Sequence, residues 1–259
     1  MPSIRPWHAP ALAFALFAVT AVAPAAQFIN VLTGGTSGVY YPLGVALAKI
    51  FETAVPDSRP SVQATKASVE NLNLLQAGRG ELAFTLGDAL SQAWSGNADA
   101  GFRAPLDKLR TVAAIYPNYI QIVAAQESGI RTLADLKGKR ISVGAPKSGT
   151  ELNARAVLGA AGLKYEDFAK VEYLPFGESV ELMKNRQLDA TLISAGLGVA
   201  WVPDSVRQFQ RPGVVYRRIA GPRGKAVPAC ETSLVWDASR EHPVLQRFAG
   251  FVRGQLAGA

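Results

Sequence analysis

Apolar and polar positions alternate in short blocks along most of the chain, and corners rich in small residues separate the blocks. Phe28–Thr33 predicts a strand, Gly34–Gly38 a tight turn, and Val39–Phe51 the helix that follows. Ser61–Thr65 reads as a second strand. Val69–Gln76 reads as a short helix with Ser68 as N-cap, Glu70 and Asn71 in its first turn, and Leu72 and Leu75 on its buried stripe. Glu81–Leu86 is a further strand, and Gly87 and Asp88 open a third helix, Ala89–Trp94. Strand and helix in alternation, with few hairpin signals, predict an α/β fold with a mostly parallel sheet covered on both faces.

Asn97–Pro105 is polar and reads as a loop, and two strand-like runs follow, Leu109–Tyr116 and Tyr119–Ala125, interrupted by Pro117 and Asn118. That interruption marks the expected crossing to a second lobe. There the opening pattern recurs: a strand at Arg140–Gly144, a small polar corner at Pro146–Thr150, and a helix at Glu151–Ala161. Two such corners, each at a strand's carboxyl end beside a helix start, predict two α/β lobes around a ligand cleft. Lys170–Pro175 and Ala190–Ser194 read as strands flanking a helix, Glu178–Asn185, whose Val180, Leu182 and Met183 are expected in the core. A turn at Ala195–Gly198, a short helix at Val199–Val206, strands at Gly213–Arg217 and Ser233–Trp236, and a closing helix at His242–Gln255 complete the pattern. The expected division is 26–117 for the first part of lobe 1, 118–220 for lobe 2, and 221–259 for a return to lobe 1.

The apolar run Ala9–Ala23 before the first strand ends in Ala23, Pro24 and Ala25, small residues of the kind a signal peptidase requires. Residues 1–25 are therefore read as a secretory signal, with a membrane anchor as the alternative, and the expected location is the periplasm. The remaining chain, roughly 230 residues, is long enough for two lobes with real cores. The net charge of +7 is spread along the sequence, which signals a nucleic-acid surface only weakly and suits an acidic ligand. Cys230 has no partner for a disulfide within the chain and reads as a buried thiol.

The only histidines are His8 and His242, and with a single cysteine they offer no centre for acid/base catalysis or for zinc. Neither glycine corner has the spacing of a dinucleotide or phosphate loop, so no cofactor is expected and the chain reads as a binder rather than an enzyme. The turn Gly34, Gly35, Gly38, with the hydroxyls of Thr33, Thr36 and Ser37, can seat a carboxylate on its backbone N–H groups, or can simply turn the chain. Tyr40 and Tyr41, and Asn118 with Tyr119 at the crossing, either wall a cleft or pack. Arg155, one turn into the second module's helix, either pairs with an anionic ligand or is structural.

Five stretches resemble the TAXI family of solute-binding proteins, receptors of a class of TRAP transporters: TGGTSGVYYPLG (Thr33–Gly44), KASVENLNLLQAGRGELAF (Lys66–Phe84), IYPNYIQIVA (Ile115–Ala124), LADLKGKRISVGAPKSGTELNA (Leu133–Ala154) and LDATLISAG (Leu188–Gly196). The resemblance implies the type II periplasmic-binding architecture and capture of a small anionic or zwitterionic solute, such as glutamate or an organic acid. It also implies delivery of that solute by a monomeric receptor to a TRAP-type integral membrane permease, with no nucleic acid involved. By the same resemblance, ligand contacts fall on the turn Gly34–Gly38, on Tyr40 or Tyr41, on Ser68, Glu70 and Asn71, on Tyr116 and Asn118, and on Ser148, Gly149 and Thr150. The tail, including SLVWDASREHPVLQRFAGFVRG, is similar to the end of the effector-binding domain of LysR-type regulators. A periplasmic sensor, or an effector-binding domain without its DNA-binding part, is therefore the alternative function.

Overall fold

The computed structural model describes residues 26–196, 214–217 and 230–237, and positions 239, 243, 246, 248 and 250. The expected signal segment, the helix at Val199–Val206 and the surroundings of the Cys230 thiol lie outside the described residues. Among the described residues, no helix is long and apolar enough to cross a membrane.

In chain order the first elements are β1 (Gln27–Leu32), α1 (Tyr40–Ala54), β2 (Ser58–Gln63), α2 (Ser68–Gln76), β3 (Leu82–Leu86) and α3 (Gly87–Ser95). They are followed by β4 (Leu109–Ala125), β5 (Arg140–Ser142), α4 (Gly149–Ala160), β6 (Lys170–Glu172), α5 (Phe176–Lys184), β7 (Ala190–Gly196), β8 (Val214–Arg217) and β9 (Cys230–Asp237). The strands form one sheet in the order β2-β1-β3-β9-β4-β7-β5-β6, with β8 also paired to β4. Parallel pairing joins β1 to β2 and β3, and β5 to β6 and β7. Every pairing of β4 and β9 is antiparallel. The sheet is therefore mixed, and the mostly parallel one expected is corrected by β9, which comes back between β3 and β4 against the direction of both.

Two apolar cores lie along this sheet. The first collects Ile29, Leu32, Phe51, Leu72, Leu75 and Leu82, all fully buried, so each contributes about 1.5–3 kcal/mol through the apolar surface it removes from water. Phe248 packs on Phe51 there, with ring centroids 4.6 Å apart. The second core gathers Leu136, Ile141, Val143, Leu158 and Leu192, with a satellite around Met183 and Leu188. Val180, expected in the core, is instead exposed, while Met183 is buried.

The crossing between the cores is one strand of 17 residues rather than two runs broken at Pro117. Its first part pairs with β9 from Leu109 to Asn118, and its second with β7 from Asn118 to Ala124. Two register shifts against β9, at Thr111/Ala113 and Ala114/Tyr116, bring Pro117 opposite Glu231 immediately after an irregularity, the setting in which a sheet tolerates a residue without an N–H. Pro60 is accommodated differently, in β2 at the sheet edge.

Candidate functional site

The carboxyl ends of β1, β2 and β3 are tied together by one side chain. Asn71, fully buried, donates from Nδ2 to the carbonyls of Thr33 (2.6 Å) and Phe84 (2.8 Å), and its Oδ1 accepts from Thr65 Oγ1 at 2.6 Å. Thr65 Oγ1 also lies 2.9 Å from Thr33 O and accepts from Ala67 N at 3.0 Å. Glu70 reaches back to accept from Lys66 N at 2.6 Å. These bonds hold the short loop from Thr65 to Ser68 in one shape. Ala67 within it has φ 72° and ψ −147°, a region that costs a residue with a Cβ about 1–3 kcal/mol. Ser68 does not cap α2 as expected: Ala67 holds the cap position, and Ser68 Oγ accepts from Leu86 N at 3.1 Å, joining α2 to the end of β3.

On the other side, β5 ends in a turn where Gly144 has φ +92°, and a Cβ there would come within 2.7 Å of Thr150. Ser148 Oγ then accepts from Glu151 N at 3.1 Å, a true N-cap for α4. The start of α4 meets the first lobe directly. A Cβ on Gly149 would lie 2.5 Å from Leu86 Cδ1 and 2.7 Å from Ser68 Oγ. Three hydrogen bonds cross the same seam: Glu70 N to Lys147 O (3.2 Å), Gly177 N to Ser37 Oγ (3.1 Å), and Arg155 Nη1 to Asp99 O (2.7 Å).

Between these faces lies a cavity of about 100 Å³, several times the roughly 10–15 Å³ that one water needs. The first lobe lines it with Gly34, Gly35, Ser37, Gly38, Val39 and Tyr40, and with the loop Thr65–Ser68 and Leu86. The second contributes Ala145, Ser148, Gly149, Thr150, Pro175 and Phe176; Tyr116 and Ser194 lie on the crossing strand and on β7. The lining is mainly apolar, and Lys66 is its single cationic residue among the described residues. Backbone N–H groups at the start of α4 and the hydroxyls of Ser37, Ser68, Ser148 and Thr150 are available to an anion there. A second, more open groove continues outward past Gly35, Ser37 and Pro175 to Glu178 and Glu181, and Thr36 lines it.

Gly34, Gly35, Gly38, Tyr40, Ser68, Tyr116, Ser148, Gly149 and Thr150 thus come together around the cavity. Thr33, Tyr41, Glu70, Asn71, Asn118 and Arg155 do not line it. Thr33 is fully buried and its hydroxyl donates to Gln63 O, while Asn71 and Glu70 act at one remove, by fixing the loop that carries Lys66. Arg155 is held by the buried carboxylate of Glu151 through two contacts, at 2.7 and 2.6 Å, and Tyr165 donates to the same carboxylate at 3.0 Å. That carboxylate raises the Arg155 pKa through its hydrogen bonds, and burial together with the Glu151 charge pushes the Tyr165 phenol well up. Arg155 is therefore a brace across the seam. The sequence patterns missed Lys66, Leu86, Pro175 and Phe176. No local signal marks them, because their place at the cavity comes from the approach of the two lobes. Among the described residues, no cluster of His, Cys, Asp or Glu is placed to hold a metal.

The NMT1-like family matches residues 31–214. The fold is similar to that of the alkanesulfonate-binding protein SsuA of Xanthomonas axonopodis pv. citri bound to MOPS, with 18% identity over 88% of this chain and 72% of that one, and a TM-score of 0.58. It is also similar to PhnD1 of Prochlorococcus marinus in complex with methylphosphonate, with 12% identity, 86% and 79% coverage, and a TM-score of 0.59. The OxyR2 regulatory domain of Vibrio vulnificus shares it as well, with 13% identity, 86% and 93% coverage, and a TM-score of 0.55. The architecture is that of type II periplasmic-binding proteins.

Proposed function

Since the chain belongs to the NMT1-like family, we propose that it is an extracytoplasmic receptor that captures a small acid between its lobes and hands it to a membrane permease. The observation that carries this reading is the cavity at the seam, where Lys66, the start of α4 and hydroxyl side chains from both lobes adjoin a mainly apolar wall. In water each donor would bind an anion weakly. Between closed lobes, with water excluded, the same donors bind it strongly, and no covalent step is needed. Closure itself supplies the shape that a permease reads.

The finer assignment follows the TAXI resemblance: a carboxylate-bearing solute, amino acid or organic acid, a TRAP-type permease as partner, and the periplasm as location. The ligands of the two similar solute-binding proteins, MOPS and methylphosphonate, both carry an acid group, which supports an anionic solute. The test is a thermal-shift screen of the purified protein against amino acids, dicarboxylates, aromatic acids, sulfonates and phosphonates. A ligand bound to the folded form raises the apparent stability, by about 2.7 kcal/mol at one hundred times Kd. A screen in which only cationic or neutral solutes raise it rejects the reading.

A further inference from the structure

Resting on that reading, we infer that the solute is an apolar monoacid, one negative group on an aromatic or aliphatic body, and that Lys66 reads its charge. Three observations converge. The first is the composition of the wall: Val39, Leu86, Pro175 and Phe176 present hydrocarbon to the cavity, and the described lining offers a single cationic residue. A second carboxylate on the solute would find hydroxyl donors but no second cation in the described lining, and burial penalises a charge that is not paired.

The second is the absence of acidic side chains from the described lining, beside a cation and the positive end of α4. An α-ammonium group would meet like charge on entering, so an amino acid is disfavoured relative to the acid that lacks the amine. The nearest acid in sequence, Glu70, is already turned to Lys66 N at 2.6 Å.

The third is the preparation of Lys66 itself. Its flanks are fixed by Thr65 on Asn71, by Ala67 N on Thr65 Oγ1, and by the unusual backbone of Ala67. The rigid loop fixes the Lys66 backbone at the cavity, so only the side chain itself remains to be ordered when a solute binds.

The experiment is isothermal titration of the wild-type chain and of Lys66→Gln with phenylacetate, hexanoate, phenylacetamide, phenylalanine, succinate and glutamate. Phenylacetate or hexanoate is expected to bind at least tenfold more tightly than phenylalanine, succinate and the neutral amide. Lys66→Gln is expected to weaken the monoacid at least tenfold and to remove most of its salt dependence, while circular dichroism shows an intact fold. Stronger binding of glutamate, succinate or phenylalanine overturns the inference and leaves the solute-receptor reading standing. Monoacid binding that Lys66→Gln leaves unchanged overturns it as well, as does a titration in which neither monoacid binds. Binding of phenylacetamide alone defeats the inference and the acid-receptor reading together.

Discussion

Gly149→Ala places a single methyl group between the two lobes. The three atoms nearest that methyl all belong to lobe 1: Leu86 Cδ1 at 2.5 Å, Ser68 Oγ at 2.7 Å and Leu86 Cγ at 3.0 Å. Carbon atoms normally rest about 3.5–4.0 Å apart, so the lobes must part by about 1 Å, or Leu86 must move within a core where it is almost fully buried. Overpacking of this kind costs about 1–3 kcal/mol. Taking about 2 kcal/mol, the closed arrangement loses about 30-fold against the open one. Within α4 itself alanine is a better helix former than glycine, so the helix does not suffer. The apparent affinity for a ligand found in the thermal-shift screen should fall by up to that factor, because only the closed form holds it fully. Small-angle scattering should show a larger radius of gyration with no loss of helical signal. Gly159→Ala, further along α4, is the control, because its added carbon meets nothing within 4 Å. Undiminished affinity in Gly149→Ala, or equal loss in Gly159→Ala, would refute the reasoning.

Ala67→Gly should stabilise the protein by about 1 kcal/mol, since relief of the backbone strain exceeds the added entropy of glycine in the unfolded chain; a rise of about 2–4 °C in Tm is the expected reading. Asn71→Ala takes the side-chain donor from the carbonyl of Phe84, while Thr33 O keeps the Thr65 hydroxyl at 2.9 Å, and should cost about 1–3 kcal/mol, seen as a lower urea midpoint. The Arg140 guanidinium, which grips Asp189 at 3.0 and 2.6 Å, holds that carboxyl below its ordinary pKa. A depressed folded pKa means stability that is present above the unfolded value, about 3.9, and is lost as pH falls through the folded one. Asp189→Asn should therefore cost about 1 kcal/mol at neutral pH, after solvent screening of a partly exposed pair, and should flatten the acid limb of the stability profile measured by urea titration.

The first lobe was legible because its signals are local. Ile29, Val31 and Leu32 announce a buried strand, and the fully buried run Leu82–Leu86 another; each is bounded by turn chemistry. The glycine and hydroxyl corners at Gly34–Gly38 and Ser148–Thr150 were legible for the same reason. The direction of β9 was not, since a strand's periodicity is identical either way and only its partners choose. Pro117 read as a break because its partner in β9, Glu231, lies far along the chain. Arg155 beside a corner reads as ligand partner or, more readily, as a structural residue, and its pairing with Glu151 one turn away is seen only in three dimensions. Pro175 and Phe176 reach the cavity from the far side of the seam, so no spacing near the corners could mark them.

β4 gives hydrocarbon to the first core at Leu109 and to the second at Ile122 and Ala124, without a linker between. If the lobes open and shut as proposed, this ribbon is expected to flex, most readily where its ladder slips at Thr111/Ala113 and Ala114/Tyr116. Neither half can melt without tearing hydrogen bonds from a strand the other half still owns. Drawn apart by its ends in an optical trap, the molecule should give way in one rupture instead of two.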